Sequence, residues 1–308
     1  MASNPHAAWS DFWAHSKNTA GKGGQDGGCL PSGYQGINAV QRESWSQFAK
    51  DLPANGRVLD LATGDGRVMA WLMAARRDAK LAGCDMAPEL PPPPRGAKVK
   101  VGVRMEKLPY RDNNFAAVTS QFGFEYGETA KVAAEAARVL APGGLLAILT
   151  HRQDGPILAH NVKRREQILW AIEEQGLPEL AKRSLQLRSS GLAVVPEAIT
   201  AAPALGAQAH GKQSAAWEIA EAIRQSLVLG ARDHPANVAK LIDTIVSRAK
   251  NEIGRIASLD LACATTADEE AFGEAIAGSG FELIGKAALK DGQYPNPFAD
   301  FRTYRLTA

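Results

Sequence analysis

The chain lacks most of the features that would tie it to a compartment or a surface. Cysteine is scarce: Cys29, Cys84 and Cys263 are the only three in 308 residues, widely spaced and without a C-x-x-C pair. That excludes a disulfide framework and a zinc ribbon, and it fits a reducing environment. An excess of one charge is also missing, since Lys+Arg 35 against Asp+Glu 33 leaves only +2. Such a balance supplies no field for non-specific nucleic-acid or membrane-surface binding. No uninterrupted apolar run approaches the ~18 residues of a membrane span, and Met1 to Asp11 shows no basic-then-apolar signal pattern. His160, His210 and His234 are too scattered to form a recognisable metal set. These absences predict an untargeted, cytoplasmic globular protein with no nucleic-acid partner, no membrane association and no metal. No internal repeat is visible.

What is present changes character along the chain. Residues 7–15 are aromatic-rich, with Trp9, Phe12 and Trp13, and seven glycines follow among positions 21–36. Glycine loses the most backbone entropy on ordering, so this stretch is expected to be a mobile loop, with the aromatic segment either a packed helix face or a lid. Apolar residues at near-helical spacing then run from Gln35 to Leu52, closed by Pro53 and Asn55-Gly56. Between Arg57 and about Thr150, strand-like runs (Arg57–Leu61, Lys80–Asp85, Lys98–Val103, Ala117–Gln121, Leu145–His151) alternate with helical patterns, clearest at Arg67–Arg77 and Thr129–Leu140. This alternation predicts βαβ units on a parallel sheet. The tetraproline Pro91–Pro94 falls where a crossover helix belongs, so that connection should be extended or shortened. From about Pro156 to Ala262 the pattern is mostly helical (Ile157–Gln175, Ala215–Leu229, Asn237–Ile256), with nearly balanced charge. Glu269–Ala277 then reads as a helix, and Phe281–Leu289 and Phe301–Leu306 read as strands.

The segment Val58-Leu59-Asp60-Leu61-Ala62-Thr63-Gly64-Asp65-Gly66 carries the clearest chemical signal. An apolar strand ends in an acid, and glycines at 64 and 66 let the backbone turn sharply and approach a ligand before a helix begins with free N–H groups. The acid disfavours a pyrophosphate and favours an ammonium or a hydroxyl. The continuation Gly64-Asp65-Gly66-Arg67-Val68-Met69 also lacks the third glycine of a dinucleotide fingerprint, and no phosphate-loop spacing surrounds Lys22-Gly23-Gly24. A second acid, Asp85, ends the next strand and should face the same crevice, placed to accept from ribose hydroxyls.

With these residues in place, the chain resembles the class I S-adenosylmethionine-dependent methyltransferases, particularly the small-molecule branch that includes quinone-biosynthesis enzymes. Four stretches match in order: Val58–Gly66, Leu81–Asp85, the turn Leu108-Pro109-Tyr110-Arg111-Asp112-Asn113-Asn114-Phe115, and Ala137-Arg138-Val139-Leu140-Ala141-Pro142-Gly143-Gly144. Together they span roughly residues 57–150. The resemblance implies an α/β, Rossmann-like, doubly wound seven-stranded sheet whose last two strands are antiparallel to each other. It would comprise an N-terminal cap and helix (1–52), a cofactor-binding core (53–155), a helical insertion (156–262) and a C-terminal helix with two strands (263–308).

The same resemblance implies S-adenosyl-L-methionine as cofactor and S-adenosyl-L-homocysteine as product. Backbone around Asp60, Leu61, Ala62, Gly64 and Gly66 would hold the methionyl part, and Asp85 the ribose diol. Met86 would cover one adenine face, Met105 and Glu106 the adenine edge, and Gln121 with Phe122 would sit beside the sulfonium. Arg104 stands where the family often has Asp, and Ala116 where it commonly has Asp. Methyl transfer is a direct displacement that needs alignment and, for a poor nucleophile, a base. His151, at the end of the fifth strand, is the first candidate because the unperturbed pKa of a histidine lies near neutrality; Glu125 and Tyr126, at the end of the fourth strand, are the others. The expected acceptor is an oxygen or nitrogen of a small molecule, with the insertion covering the acceptor pocket or forming a homodimer surface. Two alternatives are a protein or peptide methyltransferase that docks its partner on the insertion, and a cofactor-binding protein that transfers nothing.

Overall fold

A computed structural model describes residues 8–14, 35–189 and 195–307. Up to residue 34 the glycine-dense stretch lies outside the described residues, as does Cys29. Two compact units are present, a helical one over His160–Ile256 and an α/β one made of the chain before and after it, up to Ala159 and from Ala257.

In the α/β unit a short helix, α1 (residues 8–14), and α2 (Gln35–Phe48) precede the first strand. Seven strands follow: β1 (Arg57–Leu61), β2 (Lys80–Cys84), β3 (Lys98–Lys100), β4 (Phe115–Gln121), β5 (Leu140–His151), β6 (Phe281–Leu289) and β7 (Ala299–Leu306). They form one sheet in the order β3-β2-β1-β4-β5-β7-β6. Pairing is parallel from β3 through β5, whereas β7 runs antiparallel to both β5 and β6. The central strands are buried on both faces, which is why they read as near-continuous apolar runs. Helices α3 (Arg67–Ala75), α4 (Thr129–Val139) and α10 (Glu269–Ala277) complete this unit.

Helix α4 shows how the sequence builds the core. Val132, Ala133, Ala136 and Val139 recur at three- and four-residue spacing and are all buried, packing with Leu59, Leu61, Val118, Leu146 and Ile148 of the sheet and with Phe272 and Ile276 of α10. Its polar edge organises the preceding turn: Arg138 donates to the carbonyls of Leu108 (3.0 Å) and Tyr110 (2.9 Å) and pairs with Asp112. The β2–β3 connection has no helix, as the tetraproline predicts, and the Pro94 ring packs against Gly66, where an added Cβ would lie 2.7 Å from Pro94 Cδ.

The helical unit draws on α5 (Pro156–Leu169), α6 (Leu177–Ser189), α7 (Glu197–His210), α8 (Ala215–Leu229) and the 33-residue α9 (Pro235–Ala267), with the ends of α5 and α9 belonging to the α/β unit. Its own core includes Leu177, Leu185, Ile199, Ile223, Leu227, Val238 and Ile242. Three features depart from the sequence pattern. The helix expected over Ile157–Gln175 becomes a π turn from Trp170 to Glu174. Helices α6 and α7 are unpredicted, because Pro178 and Pro203 read as breakers and alanine-rich α7 blurs the apolar period. Finally, α9 passes Ile256 and residue 262 without a break. Among the described residues no helix is long and apolar enough to cross a membrane.

Where β5 meets β7, a buried ionic group fixes the register. Arg302 donates to Thr150 Oγ1 (2.5 Å) and Asp300 Oδ2 (3.1 Å), Arg152 reaches the other Asp300 oxygen (2.8 Å), and the Arg302 guanidinium lies over the Phe272 ring. Asp300→Ala should therefore destabilise the protein by about 1–3 kcal/mol, because it leaves the buried guanidinium only Thr150 and the more distant Glu269 carboxylate, at 3.7 Å. An unchanged urea-denaturation midpoint would show that Glu269 alone suffices as counter-ion.

Candidate functional site

Strand order reverses between β1 and β4, and the carboxyl ends of those strands open the crevice where ligands of such sheets bind. The turn after β1 is built from left-handed residues: Ala62 (φ 51°), Gly64 (φ 52°) and Gly66 (φ 74°), the last capping α3. Two backbone bonds define it, Thr63 N–H to the Cys84 carbonyl (3.1 Å) and Gly66 N–H to the Thr63 carbonyl (2.8 Å).

Asp60 braces this turn from within. It is 1% exposed, and each carboxylate oxygen accepts a hydroxyl, Oδ2 from Thr63 (2.7 Å) and Oδ1 from Thr119 on β4 (2.8 Å). The hydroxyls that the sequence argument assigned to a ligand are thus supplied by the protein itself. Burial pushes the Asp60 carboxyl up to about 7, against the pull of the two threonines, and the nearby charges of Asp65 and Asp85 push the same way. Asp85 closes the turn from the side: Oδ2 accepts from Gly64 N–H (3.0 Å) and Oδ1 from Ala87 N–H (2.9 Å). Burial raises its pKa too, with those backbone bonds opposing.

Around the crevice, Met86 is 36% exposed and Met105 half-buried. Glu106 accepts from Glu128 N–H (3.3 Å) and meets Arg104 (3.4 Å). Burial alone would raise the Glu106 pKa, but the backbone bonds and Arg104 together lower it. Gln121 turns its carboxamide to α2, accepting from Trp45 Nε1 (2.7 Å) and donating to Gln41 (3.3 Å). Phe122, also left-handed (φ 54°), stacks on the His151 ring with centroids 4.0 Å apart.

At the ends of β4 and β5, Glu125 and His151 form one unit. Glu125 Oε1 accepts the His151 backbone N–H (3.0 Å) and lies 2.8 Å from His151 Nδ1. The Glu125 side chain is fully buried and that of His151 is 7% exposed. Glu125 Oε2 is buried with no hydrogen-bond partner among the described residues. Thr266 Oγ1 donates to the His151 carbonyl (2.8 Å), and Tyr126 sets its ring edge-on to His151 at 6.0 Å. Sequence reasoning offered Glu125, Tyr126 and His151 as separate candidates, and the fold brings all three together. It missed Thr119 and Thr266, whose only signal is a hydroxyl in an apolar neighbourhood. Among the described residues, no group of three or more His, Cys, Asp and Glu is placed to hold a metal.

The reversal-point crevice, the glycine turn and the two buried acids make an α/β domain with a candidate ligand site. Residues 59–148 match the family described as a methyltransferase domain. The chain is 36% identical over 116 residues to a demethylmenaquinone methyltransferase of Thermus thermophilus, covering 34% of this chain and 53% of that one. It is 34% identical over 116 residues to the ubiquinone/menaquinone biosynthesis C-methyltransferase UbiE of Desulfotalea psychrophila, covering 34% and 46%. The chain thus spans about half the length of the curated relatives it matches. Among solved structures, an S-adenosylmethionine-dependent methyltransferase from Mesorhizobium loti aligns at 14% identity and a TM-score of 0.43, covering 88% of this chain and 99% of that one. Residues 59–148 are thus similar to a methyltransferase domain.

Asp60 gives this site a pH signature. An acid whose folded pKa lies near 7 stabilises the fold below its unfolded pKa of about 4, and that contribution is lost as pH rises through 7. Asp60→Asn should remove the loss, so from pH 4 to pH 8 the stability difference shifts in favour of the variant by about 2–4 kcal/mol. Denaturation series at both pH values measure it, and a difference independent of pH would mean that Asp60 ionises normally.

Proposed function

We propose that the chain transfers a methyl group from S-adenosylmethionine to a small-molecule acceptor at an oxygen or nitrogen, with the Glu125–His151 pair as its base. The observation that carries this reading is the buried pair itself, set at the carboxyl ends of adjacent strands beside a glycine turn suited to the cofactor. The residues fit the group. Gly64 presents backbone without a Cβ atom, α3 begins directly after Gly66, and the Asp85 carboxylate keeps lone pairs beyond its two backbone bonds for a diol. In this reading the backbone of Asp60, Leu61, Ala62, Gly64 and Gly66 holds the methionyl part, and Asp85 the ribose. Met86, Met105 and Glu106 surround the adenine, while Phe122 and the backbone of Gln121 border the sulfonium.

When bound, the cofactor supplies an electrophilic methyl group. The protein's part is to align the acceptor and take its proton. With Nδ1 held by Glu125, His151 accepts that proton at Nε2, and the charge that forms on the ring is offset by the carboxylate 2.8 Å away. Phe122 and Tyr126 flank the ring and exclude water. A carbon acceptor on a phenolic ring is the second reading, supported by the relatives named for menaquinone and ubiquinone biosynthesis. The same base would serve, since removing a ring hydroxyl proton makes the neighbouring carbon nucleophilic.

A panel of phenols, quinols and amines, with S-adenosylhomocysteine release as readout and mass spectrometry of the product, identifies the acceptor and its methylated atom. On that acceptor, His151→Ala and Glu125→Gln should lower kcat by about 10²–10⁴-fold while leaving S-adenosylhomocysteine binding intact. Full turnover in both variants would reduce the pair to a structural role. Asp85→Ala should weaken S-adenosylhomocysteine binding by about tenfold or more, the loss expected for hydrogen bonds to a charged group. Calorimetry giving the parent affinity would overturn the ribose assignment.

A further inference from the structure

Helix α1 lies over the glycine turn. A Cβ added at Gly64 would sit 2.4 Å from Trp13 Cζ2 and 2.7 Å from Cη2, so the indole edge rests on the Gly64 backbone with no room for another molecule between them. Glycine at this position leaves the turn open on the side where a side chain would stand, and the indole fills that side. The helix is held in place at several points: Ala8 is buried, Trp9 Nε1 donates to Ser258 Oγ (3.2 Å), and the Trp9 ring sets its edge on Tyr126 at 5.7 Å. Phe12 links Trp9 to Trp13 through edge-to-face contacts at 5.8 and 5.0 Å. Tyr126 in turn meets the His151 ring, so one short helix rests on the glycine turn and reaches His151 through Tyr126.

From this geometry we infer that α1 is a displaceable gate on the cofactor site, with Trp13 as its plug. The inference rests on the cofactor reading given above. The indole and the methionyl part cannot share the Gly64 face, so cofactor binds only to molecules whose α1 has swung away. The same movement lifts Trp9 from Tyr126 and uncovers the acceptor side. Apparent affinity is then the intrinsic affinity scaled by the fraction of open molecules.

The test is S-adenosylhomocysteine binding to the full chain, by calorimetry and stopped-flow fluorescence, for the parent, Trp13→Ala and Ser258→Ala. A gate closed about nine-tenths of the time predicts that Trp13→Ala binds about tenfold more tightly, through faster association. Ser258→Ala, which loosens the helix by removing the partner of the Trp9 N–H, should tighten binding by about two- to threefold in the same way. Equal affinity and rates in all three proteins would overturn the gate and leave the cofactor reading standing. Weaker binding by Trp13→Ala with faster dissociation would also overturn it, making Trp13 part of the cofactor cradle. If neither the parent nor the variants bind while circular dichroism shows them folded, the cofactor reading itself fails and the gate with it.

Discussion

A carboxylate that water scarcely reaches, Asp60, stands between the first and fourth strands with a threonine hydroxyl on each oxygen. Much of the site's geometry depends on it. Thr63 is held inside the turn, so Ala62 and Gly64 on either side are forced into left-handed backbone, and Gly64 offers its N–H to Asp85. Thr119 ties the same group to β4, so the two strands that frame the crevice are locked at their carboxyl ends as well as along their ladder. Burying the carboxylate is costly, as its raised pKa shows, and the fold retains it because no apolar side chain could take both hydroxyls.

The constraint travels outward through steric contact. Ala62, a non-glycine residue at φ 51°, costs about 1 kcal/mol, and its Cβ leaves no space at Gly123, where a side chain would come within 2.4 Å of it. Gly123 opens the single 3₁₀ turn Phe124–Tyr126 that carries Glu125 to His151. The glycine turn and the proposed base are therefore adjacent parts of one packed arrangement. A change in the backbone of either would be felt by the other.

Much of the α/β unit was legible in the sequence, because local chemistry decides it. Arg57–Leu61 and Phe281–Leu289 coincide with observed strands and Glu269–Ala277 with an observed helix, as does Ala215–Leu229 within the helical unit. The two helices also have Ser214 and Asp268 as N-caps, whose side chains accept from Trp217 and Ala271 N–H. The helical block was less legible. In α6 and α7 prolines sit where the final packing tolerates them, one in a first turn and one inside a helix whose neighbours bury it. The π turn at Trp170–Glu174 has no local signature either, since a one-residue change of hydrogen-bond register leaves the apolar period nearly intact.

At the site the division follows range of interaction. The sequence by itself determined the strand–turn–helix at Val58–Gly66, the acid at the end of the second strand and the titratable groups near the ends of the fourth and fifth, since backbone preference and residue chemistry are properties of a few neighbouring positions. Only the tertiary structure decided what those groups do to one another. Asp60 meets Thr119 across 59 positions, His151 meets Glu125 across 26, and Trp13 comes to rest on Gly64. Such pairings depend on how the sheet orders its strands and where the first helix docks, and burial then sets the charge states and access that no local pattern encodes.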